Sequence, residues 1–121
     1  MVLRVGIDER IIFIERKYSH LAEDVLILSS TEETLKMILQ FYDGTVLCVA
    51  ERWKRGNLTR YSYYWLNKEN KLKIGWDNTP HHRNLATYPH HKHVGEQAEI
   101  EVSQEHCLED VMMLIEKMMY I

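Results

Sequence analysis

The chain has 121 residues, 45% hydrophobic and 27% charged, a balance that fits one compact domain over residues 1–121 and argues against a disordered chain. No apolar run approaches the roughly 20 residues of a membrane span, so a helical membrane protein is excluded. With 15 Lys and Arg against 18 Asp and Glu the net charge is −3, which rules against gripping nucleic acid by overall charge and leaves a local basic patch for that purpose.

The opening "MVLRVGIDER" has no basic segment followed by a long apolar stretch and no small-residue cleavage site, so a cytoplasmic location is expected. Ile7, Ile11, Ile14, Tyr18 and Leu21 line one side of a helix expected over residues 7–19, with Asp8 and Glu9 in its favourable first turn. "DVLILSS" reads as a short strand. In "TLKMILQFY" the alternation of Leu35, Met37, Leu39 and Phe41 predicts a half-buried strand. Asp43-Gly44 then forms a hairpin turn, because glycine takes the positive φ such turns require. "TVLCVAERW" returns, a turn at Gly56 leads into "LTRYSYYWL", and "NKENK" leads into "LKIGW". Turns this short make antiparallel neighbours, so the middle of the chain predicts a meander of four to five strands.

Residues 77–98 hold Pro80, Pro89 and Gly95 with little periodicity, the composition of a long ordered loop. In the closing "SQEHCLEDVMMLIEKMMYI", Leu108, Val111, Met112, Ile115, Met118 and Met119 recur at helical spacing, with Ser103 or Gln104 near the expected start. This helix should cover one face of the sheet. Its apolar end, "MMYI", also suggests a contact with a second copy or another protein, so a homo-oligomer is expected. Helix, meander, His-rich loop and closing helix together predict an α+β fold. Cys48 and Cys107 read as buried thiols.

The loop concentrates the chemistry. Five of the chain's seven histidines, His81, His82, His90, His91 and His93, fall within thirteen positions, in two groups each led by a proline. One reading is a site for zinc or another divalent transition metal, with Asp77, His81, His90, His91 and His93 as candidate ligands. In extended backbone His91 and His93 point one way and His90 the other, so at most two of "HHKH" share a ligand plane. A second reading needs no cofactor. Histidines flanking a phosphodiester remove a 2′-hydroxyl proton and protonate the leaving 5′-oxygen, and an arginine steadies the added negative charge. His81, His82, His91 and His93 with Asp77 and Arg60 are the candidates. A third makes the imidazoles partners of buried carbonyls in a purely structural loop.

"RWKRGNLTRYSYYW" interleaves cations with aromatic rings, the composition of a surface for single-stranded nucleic acid. Arg52, Lys54, Arg55, Tyr61 and Tyr63, joined by Arg83 and Lys92 from the loop, are the candidate RNA contacts. Plain sheet packing of the tyrosines is the alternative.

The stretch "RYSYYWLNKENKLKIGWDNTPHHRNLATYPHHKHVG" resembles the TumE family of prokaryotic toxins. The resemblance rests on "YSYYW", "WDNTPHH" and "PHHKHVG" and covers residues 45–95. It places the family's motifs on Asp77, Asn78, Pro80, His81 and His82, then on Pro89, His90, His91 and His93. It implies a cytoplasmic bacterial or archaeal toxin, a cognate DNA-binding antitoxin as partner, and an action on RNA. Many ribonuclease toxins are basic whereas this chain is mildly acidic, so the resemblance leaves room for the ribosome to supply affinity. The expectation is a metal-independent ribonuclease toxin, set against a non-catalytic or metal-binding interaction module built on the same loop.

Overall fold

The structure, a computed structural model, describes residues 5–95 and 99–120. Helix α1 spans Val5–Lys17 and ends in the basic pair Arg16 and Lys17, which suits the negative end of its dipole. The expected helix is thus recovered, with Tyr18 and Leu21 lying just beyond it in a hydrogen-bonded turn. The strands that follow are β1 (Ala22–Ser30), β2 (Thr34–Phe41), β3 (Val46–Lys54), β4 (Asn57–Leu66), β5 (Leu72–Asp77), β6 (His91–Val94) and β7 (Glu99–Val102). Helix α2, Leu108–Met119, closes the chain.

All strands belong to one sheet in the order β1 to β7, each antiparallel to the next. The turns work as their residues dictate. Asp43 accepts hydrogen bonds from the Thr45 amide at 2.9 Å and hydroxyl at 2.7 Å, while Gly44 sits at φ +89°.

The sheet has seven strands, against the four to five expected. The two additional strands, "HKHV" and "EIEV", carry a weak signal, the first without apolar alternation and the second alternating over only four residues, because they lie at the margin of the sheet and are held by backbone pairing to β5 and to each other. The long loop therefore shrinks to residues 78–90, and His91 and His93 sit on a strand.

Leu35, Met37, Leu39 and Phe41 point inward as their alternation requires, joined by Tyr61, Tyr63, Trp65 and Trp76 and by Ile14, Leu108, Val111, Met112 and Ile115 from the helices. Both helices thus pack into one core on one side of the sheet. A buried polar knot fastens them there. Glu51 accepts hydrogen bonds from Tyr63 Oη at 2.6 Å and Arg10 Nε at 3.2 Å, and Arg10 also pairs with Glu109.

One expectation for the C-terminal segment is corrected. The helix starts at Leu108 rather than near Ser103, because Cys107 is extended at φ −161° and Asp110 accepts the His106 amide from inside the helix. Of the methionine stripe, Met112 is fully buried in the core and only Met118 lies open, with Met113 and Tyr120 beside it on the surface. No helix among the described residues is long and apolar enough to cross a membrane.

Candidate functional site

The open face of the sheet carries the alternate positions of the central strands. Register places Asp77, at the end of β5, opposite Ser62 on β4 and His91 on β6, and places Gly75 opposite Tyr64 and His93. Paired residues of an antiparallel ladder share a face, so Asp77, His91 and His93 converge. The Asp77 carboxylate reaches His91 Nε2 at 2.9 Å through Oδ1 and His93 Nε2 at 3.3 Å through Oδ2.

The loop from 78 to 90 is built to hold this arrangement. Asn78 accepts the Tyr61 amide at 2.9 Å and donates to the Thr59 carbonyl at 3.2 Å, standing in for one more strand residue before the chain turns. The Thr79 amide donates to Asp77 Oδ1 at 2.9 Å, orienting the carboxylate. The chain then folds back so that the His82 ring meets His91 edge-on at 4.8 Å, with His93 at 6.5 Å and His81 at 6.4 Å between ring centres. Before His91 the Tyr88-Pro89 peptide is cis, and the Pro89 carbonyl accepts a hydrogen bond from His91 Nδ1 at 3.1 Å. His91 is 2% exposed and Asp77 7%. His82 and His93 are half-buried and His81 is exposed, so these three imidazoles can meet a solute.

His90 is not with them. It faces the helix side, where its Nδ1 meets Tyr61 Oη at 2.8 Å and its ring stacks on His106 with centres 3.8 Å apart. Burial first, then the neighbouring His106 and His91, lower its pKa. Lys92 is turned away as well, donating to Glu105 Oε1 at 3.3 Å beside the Trp76 indole, which binds the same oxygen at 2.9 Å. Tyr61 and Tyr63 have their rings in the core, and burial drives both phenols well above their ordinary pKa. Neither offers a face to a base.

The aromatic residue on the open side is Tyr64, 40% exposed. Its ring lies over Gly75, where an added Cβ would come within 2.6 Å of Tyr64 Cδ1. The β4 alternation already separates Tyr61, Tyr63 and Trp65 from Tyr64, so period-two spacing was the signal that distinguishes them. Arg52 and Arg60 are direct cross-strand partners on this face, and among the described residues neither guanidinium meets a carboxylate. With Lys36, Thr34, Ala50 and Ser62 they line a cleft of about 460 Å³. Ser62 is the register partner of Asp77, so the lining of the cleft ends one strand away from the shared carboxylate. Lys54 and Arg55 lie exposed at the β3–β4 turn, and Arg83 is exposed on the loop. Cys48 and Cys107 are free thiols, and burial pushes the Cys107 pKa up to about 11.

A family model described as Toxin TumE matches residues 9–119 of the chain. No curated protein and no solved structure matches it.

Proposed function

The chain belongs to the TumE toxin family, whose members act in toxin–antitoxin pairs, and from that premise we propose that it inhibits growth by cleaving RNA at the histidine cluster. One observation carries the reading. The two proline-led histidine groups, separated in sequence by loop residues 83–88, come together where the His82 ring meets His91, the second group shares the Asp77 carboxylate, and the cleft that holds Arg52 and Arg60 reaches Ser62, the register partner of Asp77.

In this reading Arg52 and Arg60 hold a backbone phosphate, and Tyr64 stacks on a neighbouring base. The adjacent 2′-hydroxyl attacks phosphorus. An accessible imidazole, His82 or His81, takes the hydroxyl proton, and the other supplies a proton to the departing 5′-oxygen. Arg60 steadies the charge that grows on the phosphorane. His91 is too deeply buried to touch RNA. It is a positioning residue, fixed between Pro89 and Asp77 so that His82 and His93 rest against it. The cations of the cleft give this acidic chain the local patch that its net charge lacks, and the ribosome is a natural source of further affinity. The cognate antitoxin is the partner that the family implies, and Met113, Met118 and Tyr120 offer apolar surface for it or for a second copy.

The test is incubation of purified toxin with single-stranded RNA, followed by analysis of the product ends. We expect 5′-hydroxyl and 2′,3′-cyclic phosphate ends, and a loss of cleavage of about 100-fold or more in His82→Ala. Unchanged cleavage in that variant, or 3′-hydroxyl ends, refutes the assignment.

A further inference from the structure

The hydrogen bonds around His91 do not close on their own. The Pro89 carbonyl is only an acceptor, so the 3.1 Å contact requires a hydrogen on His91 Nδ1. In the neutral ring that leaves the Nε2 lone pair aimed at Asp77 Oδ1 from 2.9 Å. Two electron-rich atoms facing each other at that separation, with His91 almost wholly buried, need a positive charge between them.

We propose that this charge is a divalent transition-metal ion, held by Asp77, His91 and His93. The three residues present donor atoms that all lie within 4.8 Å of one another. A zinc tetrahedron with bonds of about 2.0–2.1 Å has edges of roughly 3.3 Å, and the Asp77 oxygens already stand 2.9 and 3.3 Å from the two imidazole nitrogens. His93 is half-buried, and its ring lies 5.1 Å from that of His91.

The outer contacts are those that orient metal ligands. His91 donates its other ring hydrogen to a backbone carbonyl, and Asp77 accepts the Thr79 amide. Two imidazoles and one carboxylate favour a borderline ion such as zinc over magnesium, which prefers an all-oxygen shell. The His82 ring packs edge-on against His91 at 4.8 Å, beside the three ligands. The ion site stands on this geometry whether or not RNA is the substrate. If RNA is, the ion lies where it would draw a phosphate oxygen toward the imidazoles.

The experiment uses full-length protein without a polyhistidine tag, stripped with chelator and titrated with zinc by calorimetry, with elemental analysis after dialysis. The expected result is one zinc per chain, no competition from equal magnesium, and a rise of several degrees in the unfolding midpoint. His93→Gln should weaken zinc by at least about tenfold while keeping the native circular dichroism, and His20→Ala, remote from the site, should leave binding unchanged. Absence of stoichiometric zinc, or zinc binding that survives His93→Gln, overturns the proposal and leaves a proton as the bridging charge. Cleavage of RNA by stripped protein that binds no zinc would sink the ion alone. Stoichiometric zinc without RNA cleavage would sink the proposed function alone.

Discussion

Replacing Asp77 by alanine removes the carboxylate that His91 and His93 share. His91 Nε2 then has no partner in a residue 2% exposed, and an unsatisfied buried polar atom costs about 1–3 kcal/mol. The Thr79 amide loses its acceptor too, worth about 1 kcal/mol. Together these predict a loss of about 2–4 kcal/mol in Asp77→Ala. Asp77→Asn keeps an oxygen for Thr79, the same atom that faces His91 Nε2, and turns its amide hydrogen toward His93 Nε2, so about 1 kcal/mol is expected. Both variants should lose growth inhibition. Urea denaturation followed by circular dichroism measures the difference, with an unchanged slope showing that the unfolded reference has not moved. A cost below about 0.5 kcal/mol for Asp77→Ala, the scale of an ordinary surface change, would show that the pair is not formed and would remove the basis for the site.

Arg60→Ala should leave stability within about 0.5 kcal/mol, since it also relieves the like-charge pairing with Arg52, yet weaken RNA binding in a salt-dependent manner; an unchanged affinity at low salt counts against the cleft. Gly75→Val would drive a side chain into the Tyr64 ring, costing about 1–3 kcal/mol by overpacking, and Tyr64→Ala in the same background should recover much of it in thermal unfolding. Stability should also depend on pH through His90, whose pKa burial and the neighbouring His106 and His91 lower in the folded protein from the ordinary imidazole value of 6.5. The unfolded chain takes up that proton first, so the contribution is whole above about 6.5 and is lost as pH falls through the lowered folded value. His90→Gln should flatten this part of the pH profile, and identical profiles for the two proteins would refute the assignment.

The helices and hairpins were readable because their signals are local. Asp43-Gly44 specifies a turn through its own backbone preference, Leu35 to Phe41 declare a buried face by alternation, and Leu108 to Ile115 do so by helical spacing. The two PHH groups were equally visible, and the family match confirms the resemblance they carried. What stayed hidden depends on pairing between distant segments. β6 and β7 are only four residues each and are strands because β6 pairs with the edge of β5 and β7 with that of β6. Register then decides that Asp77 meets His91 and His93, and that His90 and Lys92 turn to the helix side. Composition determined that imidazoles would be plentiful here; only the folded sheet, by assigning each residue one of two faces, determined which of them stand together.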